Sequence, residues 1–273
     1  MLSGKINNDY IPLTKEAKIA KIMNSLEIIQ RQNKRIHFYN QFKKHDYNSI
    51  IPLKIYQTWH TKNLPPLMKS AVDKMKVQHP RFEHFLFDDN DCRNFIQTHF
   101  SKEVLFAFDS LVPGAYKADL WRYCVLYING GIYLDIKYCC VNQFKFIELT
   151  EAEHFVLDVD GGSIYNALLV CLPKNEILLK CINRIVENVS NRYYGSCCLD
   201  PTGPGLLAKM LSSSDKSKIS LTHLWNRSNN SKFILYKNIA ILKMYDDYYS
   251  EQDKYQKVNH YSALWSQRKI YSR

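Results

Sequence analysis

The sequence predicts a layered α/β domain, preceded by a separate helical segment. Two observations carry this reading. From Leu53 onward, short strand-like apolar runs alternate with longer runs at helical spacing. Midway, the helical run over 115–129 is closed by Gly130-Gly131 and followed at once by another apolar run. A tight glycine turn of that kind takes a helix straight into a strand.

The elements follow in order. Residues 14–44 read as helix, with Ile19, Ile22, Met23, Leu26 and Ile29 forming one apolar stripe. This sets a helical segment over 1–48 apart from a main domain over 49–273. In that domain 53–58 reads as a strand, and Pro65-Pro66 opens a helix to about 78. A second strand over 82–87 ends at Asp88-Asp89, and helices are expected over 89–99 and 102–111. Pro113-Gly114 breaks the chain before the long helix. Strands are expected over 132–138, 154–157 and 167–171, and a helix over 176–189. The stretches 212–217 and 226–231 read as polar loops, and no internal repeat is visible.

With 273 residues and 46% hydrophobic content, the chain is long enough to bury a core of its own. The net charge of +11 suits an acidic ligand such as a nucleotide or phosphate, although a basic solvated surface explains it equally. Nucleic acid is not the expected partner: the basic residues are dispersed, with no zinc-finger spacing and no RNP-like signature. No apolar run is long enough to span a bilayer and Met1 to Tyr10 is polar, so no membrane span and a cytoplasmic location are expected. None of the eight cysteines forms a C-x-x-C pair, and they read as free, mostly buried thiols.

The chemistry concentrates between Ala118 and Lys137. Asp119 and Arg122 lie three apart on the expected helix and share a face. Past the glycines, Ile132, Leu134 and Ile136 point one way along the strand, and Tyr133, Asp135 and Lys137 the other. The first set reads as core. The second puts an acid near the carboxyl end of a strand, where open α/β sheets bind ligands. An acid buried there needs a partner: a sugar hydroxyl, a ribose, a metal or Arg122.

These residues resemble glycosyltransferase family 32, whose pattern runs A/S-D-x-x-R-Y and then G-G-x-Y-x-D-x-D. Here it reads Ala118-Asp119-Leu-Trp-Arg122-Tyr123, then Gly130-Gly131-Ile-Tyr133-Leu-Asp135-Ile-Lys137. Upstream, Ile51-Pro-Leu-Lys-Ile-Tyr-Gln57-Thr58-Trp59 resembles the family's opening strand, and Asp88-Asp89 the acid after the second strand. Downstream, Thr202-Gly203-Pro204 and His260 with Trp265 resemble its later elements. The resemblance implies a GT-A fold, with a Rossmann-like nucleotide half, and a retaining transferase that uses a UDP- or GDP-sugar. The acceptor would be a glycan, a lipid-linked saccharide or a protein. It further implies Gln57, Thr58 and Trp59 near the nucleotide base, with Trp59 as a stacking ring. Asp119 and Arg122 would hold the donor sugar and orient the diphosphate. Tyr133 would pack by the donor, Asp135 would meet ribose, sugar or a metal-bound water, and Asn166 would be a further polar contact. His260 and Trp265 would close over the diphosphate.

One departure stands out. The second acid of D-x-D is Lys137. The family implies Mn²⁺ or Mg²⁺, which want oxygen ligands, whereas an ammonium only donates. Either a metal is held by Asp135 and His260 with the donor diphosphate, or Lys137 neutralises the diphosphate itself. Loss of catalysis would leave a sugar-nucleotide binder. Asp158 and Asp160 form a separate D-V-D, an alternative metal site.

Overall fold

The computed structural model describes residues 30–272, apart from 32, 42, 45 and 257. Its contacts divide into two units, Met1–His45 and Asp46–Arg273. In the first, residues 30–31 and 33–41 are helical (α1). The expected apolar stripe from Ile19 to Ile29 lies outside the described residues.

The second unit is built on two mixed sheets. In the first sheet, β1 (Lys54–Thr58) lies between β2 (Glu83–Phe87) and β3 (Gly131–Leu134), and all three run parallel. β6 (Leu168–Cys171) pairs antiparallel on the far side of β3. The crossovers are helical: α2 (Pro66–Gln78) joins β1 to β2, and α3 (Asp89–His99), α4 (Lys102–Ser110) and α5 (Gly114–Asn129) join β2 to β3. This is the α/β class and mixed sheet expected from the sequence.

Side chains of β1 and β3 alternate between two cores. Tyr56 and Tyr133 pack with Ile96, Leu120, Trp121 and Ile185 of the helical layer. Ile55, Ile132 and Leu134 pack with Met68, Phe146 and Leu242 on the other side. Parallel strands covered on both faces read as nearly continuous apolar runs. Tyr133, expected on a ligand-facing surface, is therefore buried at 2% exposure.

The strand expected over 132–138 is two elements. β3 stops at Leu134, and the Tyr138 N–H closes a turn onto the Asp135 carbonyl at 3.1 Å. The chain resumes as β4 (Tyr138–Cys140), which pairs with β9 (Ile239–Met244) in the second sheet. That sheet runs β4-β9-β8-β7-β5, with β5 (Val156–Leu157) parallel to β7 (Leu221–Asn226). The antiparallel run of β7, β8 (Ser231–Tyr236) and β9 was not anticipated from the sequence. The polar stretch 226–231, expected as a loop, turns the chain between β7 and β8, with Asn226 and Ser231 paired at the strand ends. The other expected loop, 212–217, instead contains the short helix α8 (Ser213–Ser217). Ser212 accepts from the Asp215 N–H and the Asp215 carboxylate accepts from the Ser212 N–H, so a capping box starts a helix from polar residues alone.

The Gly130-Gly131 turn is forced by close approach. Gly130 has φ +61° and a Cβ there would lie 2.6 Å from Pro173 Cδ. Gly131 has φ +104° and a Cβ would lie 2.8 Å from the Lys54 carbonyl oxygen. Neither backbone atom nor proline ring can give way cheaply. Gly131→Ala should therefore cost about 2 kcal/mol or more of stability. Urea denaturation checks this, and an unchanged midpoint would contradict it.

Candidate active site

Because β1, β2 and β3 are parallel, Thr58-Trp59, Asp88 and Asp135 all emerge at one carboxyl edge of the sheet. α5 runs beside that edge and delivers Asp119 and Arg122, which are 6% and 5% exposed. Arg122 is the hub. Its Nη2 lies 3.2 Å from Asp119 Oδ1. Its Nη1 donates to the Asn166 carbonyl at 2.6 Å and lies 3.3 Å from Asp135 Oδ1. Its Nε donates to the Ala118 carbonyl at 3.1 Å, and the guanidinium lies 4.3 Å from the centre of the Tyr133 ring.

Each acid is held from several sides. Asp119 Oδ1 accepts from Asn166 Nδ2 at 2.9 Å, and Oδ2 accepts from the Thr202 hydroxyl at 2.8 Å. Gly203 follows because a Cβ there would sit 3.0 Å from Asp119 Oδ2. The Asn166 amide also donates to the Tyr123 hydroxyl at 3.2 Å. Asp135 Oδ1 accepts from the Tyr133 hydroxyl at 2.8 Å, and Oδ2 from Lys137 Nζ at 2.5 Å. Tyr133, Asp135 and Lys137 thus meet as expected, although a turn rather than a strand brings the last two together. The side chains of Asp119 and Arg122 are 9% and 6% exposed, against 21% for Asp135 and 16% for Lys137. A ligand at this edge meets Asp135 and Lys137 first, with Asp119 and Arg122 beneath.

The charges balance: two acids and two bases share the cluster. Burial pushes the Asp119 carboxyl above its ordinary value, and Arg122, Thr202 and Asn166 only partly oppose this. Burial also acts to raise Asp135, but Lys137 and Arg122 outweigh it and hold the carboxyl below the ordinary range. Burial alone would lower Lys137, yet the neighbouring Asp135 raises it, so it stays protonated.

The other expected residues are spread around this centre. Gln57 is buried in β1 at 3% exposure. The Thr58 hydroxyl donates to the Phe87 carbonyl at 2.9 Å. The Trp59 ring lies tilted at 46° against His60 with ring centres 4.8 Å apart, and its buried Nε1 has no hydrogen-bond acceptor among the described residues. His260 is exposed and caps the helix α10 (Tyr261–Ser266), where its Nδ1 meets the Ser262 hydroxyl at 2.7 Å. Trp265 donates to the Tyr194 carbonyl at 2.6 Å and packs on the helical core.

In the C-terminal segment, Tyr261 feels the charges of this centre. Its ring lies 5.9 Å from that of Tyr116, and burial, then the fields of Cys198 and Asp119, push its phenol up to about 12. Tyr248, also pushed up to about 12 by burial, feels Lys137 and Asp135. Sequence reasoning missed both tyrosines, since nothing distinguishes them among the 19 in the chain.

Among the described residues no contact joins Asp135 to His260, the pair expected to hold a metal. His260 is engaged with its own helix, and both Asp135 oxygens already accept from phenol, guanidinium or ammonium. Asp160 spends its carboxylate on Gly162 and Ser163 of its own loop, and Asp158 pairs with His223 at 2.7 Å. Among the described residues no group of three or more His, Cys, Asp or Glu is placed to hold a metal. This donor set does not fit a resident divalent cation. Among the described residues no helix is long and apolar enough to cross a membrane. All eight cysteines are free, and Cys92, Cys124, Cys171 and Cys181 are buried.

Residues 65–155, which contain Asp119, Arg122 and Asp135, match the family described as "Glycosyltransferase sugar-binding region containing DXD motif". This stretch is therefore similar to the sugar-binding region of that glycosyltransferase family. It is similar to inositol phosphoceramide mannosyltransferase 3 of Schizosaccharomyces pombe, at 35% identity over 37% of this chain and 28% of that one. An uncharacterized glycosyltransferase of Acanthamoeba polyphaga mimivirus is 35% identical over 33% of this chain and 37% of its own. The initiation-specific alpha-1,6-mannosyltransferase of Candida albicans is 28% identical over 34% and 26%. The chain spans less than half the length of these relatives. Among solved structures it resembles the PaToxG glycosyltransferase at 16% identity and a TM-score of 0.48, over 71% of this chain and 79% of that one.

Two predictions follow from the geometry. Arg122→Ala leaves two buried carboxylates without their shared cation, and should cost about 3–5 kcal/mol. Chemical denaturation measures this, and a loss under about 1 kcal/mol would show that the pairing contributes little. The second concerns acid. Since Asp135 is held below its ordinary value, its contribution is present above the unfolded pKa of about 4 and is lost as pH falls through the folded value. Asp119, held high, contributes in the opposite sense. Melting temperatures from pH 6 down to acid should fall less steeply for Asp135→Asn than for the native chain. Parallel curves would refute the assignment.

Proposed function

We propose that this chain is a glycosyltransferase that takes its sugar from a nucleoside-diphosphate donor, with residues 49–273 as the transferase domain. One observation carries the reading most: inside the family's sugar-binding region, one buried guanidinium ties Asp119, Asp135 and Asn166 together at the carboxyl edge of a parallel sheet. Open α/β sheets take their ligands at that edge. The carboxylates and the Asn166 amide suit sugar or ribose hydroxyls, while Arg122 and Lys137 suit the diphosphate. The family resemblance supports a GT-A fold, a UDP- or GDP-sugar and retention of anomeric configuration.

In the proposed reaction the bond between the sugar's anomeric carbon and the diphosphate oxygen breaks. The electron pair goes to the diphosphate, and an acceptor hydroxyl bonds to the carbon and passes its proton to the departing diphosphate. Asp135 is the acid the sugar or ribose reaches first. Arg122 orients the diphosphate, while Asp119 and Asn166 fix Arg122 and contact the sugar from below. Gln57, Thr58 and Trp59 border the same edge and suit the nucleotide base, and the buried Trp59 Nε1 has no acceptor among the described residues. Tyr261, rather than His260, is the C-terminal side chain that covers the donor. The names of the relatives point to mannose as the sugar and to a lipid-linked or glycan acceptor.

Calorimetry with UDP- and GDP-sugars, followed by an assay for released nucleoside diphosphate, tests the reading. Binding and slow hydrolysis are expected, and no binding of any common nucleotide sugar would overturn it. Binding without turnover, in the presence of acceptors, would instead identify a sugar-nucleotide binder. Asp119→Asn keeps the shape and removes the charge. Loss of a charged hydrogen bond costs about 1.5–3 kcal/mol, so turnover should fall roughly ten- to hundredfold. Full activity in a folded variant would remove Asp119 from the site.

A further inference from the structure

We propose that Lys137 is a built-in cation that neutralises the diphosphate of a bound nucleotide in place of a divalent metal. The inference rests on the donor reading above and deepens it. Lys137 stands where the family motif has its second acid, and its Nζ donates to Asp135 Oδ2 at 2.5 Å. With an acid at that position, three carboxylates would face Arg122 alone, and the net charge of −2 would call for a metal. With Lys137 the four groups sum to zero, and the carboxylate oxygen a metal would bind already accepts from the ammonium.

The ammonium is held in place. It lies 5.6 Å from the ring centres of both Tyr138 and Tyr165. Those two hydroxyls bond at 2.9 Å, and His223 stacks flat behind Tyr165 at 3.7 Å and 3°. The Lys137 carbonyl accepts from the Tyr245 N–H at 3.0 Å, which fixes the backbone as well. Among the described residues its hydrogen-bond acceptor is Asp135, so an ammonium with three donors keeps capacity for phosphate oxygens. The side chain is 16% exposed, on the same edge as Asp135. A lysine there is a point charge that suits phosphate, with Arg122 fixed behind it.

Two measurements on the full chain test this. The first is a Mn²⁺ titration followed by electron paramagnetic resonance, without nucleotide. The native chain should leave the free Mn²⁺ signal intact, and Lys137→Asp should deplete it. The second is calorimetry with UDP and GDP, in EDTA and in Mn²⁺. Native affinity should be the same in both buffers. Lys137→Gln should lose about tenfold in EDTA, the loss of one charge-assisted hydrogen bond, and Lys137→Arg should recover most of it. If Lys137→Gln does not fold, the native chain and Lys137→Arg still decide the matter through their response to EDTA. Native binding that requires Mn²⁺, native uptake of Mn²⁺ alone, or unchanged affinity in Lys137→Gln would each overturn this inference and leave the donor reading standing. No binding of UDP or GDP under any condition would overturn both.

Discussion

One guanidinium organises the candidate site. Arg122 projects from a helix that is otherwise core, and its donors reach Ala118, Asp119, Asp135 and the Asn166 carbonyl while its plane covers Tyr133. These residues come from α5, from the end of β3 and from the segment before β6, so one side chain fixes three parts of the fold against each other. A buried ion network is not chiefly a stabilising device, because desolvation offsets much of the attraction. Its use is positional. It holds acids and bases at an edge where a ligand with hydroxyls and phosphates can replace the missing solvent.

The fold explains why that edge is available. Parallel pairing of β1, β2 and β3 sends three chain ends to the same side, and the glycine pair lets α5 fold back so that its buried face lies beside them. The chain then leaves the first sheet at Asp135 and enters the second at Tyr138. The turn between the two sheets leaves Asp135 and Lys137 half-buried; in the C-terminal third, Tyr248 feels both charges and Tyr261 that of Lys137. Tyrosine walls of this kind pair apolar area with a hydrogen-bonding tip, which suits sugar faces and hydroxyls.

Much of this was legible in the residues. Helical spacing, proline starts and the glycine stop placed α2, α3, α5 and α6 (Glu176–Ser190) within a residue or two, because those signals are local. The order of Asp119, Arg122, Gly130-Gly131 and Asp135 marked the site for the same reason. Three features were hidden. The end of β3 at Leu134 depends on a second sheet that no local pattern announces, and the alternation of Tyr133, Asp135 and Lys137 suggested one longer strand. The β7–β9 run has weak alternation, since Leu224 and Trp225 are exposed while His223 is buried. His260 is named by motif and its imidazole caps a helix, while the neighbouring Tyr261 packs beside Tyr116 and feels the charge of Asp119. Motif order identifies a segment; only packing says which of its side chains turns inward.

The most direct test of the central claim is a crystal structure of the chain with a non-hydrolysable UDP- or GDP-sugar analogue. The account predicts sugar or ribose hydroxyls within hydrogen-bond reach of Asp135 or Asp119, and the diphosphate against Arg122 and Lys137, with the Arg122 tie to Asp119 retained. A donor bound elsewhere, or one that leaves the Asp119–Arg122–Asp135 cluster untouched, would contradict it.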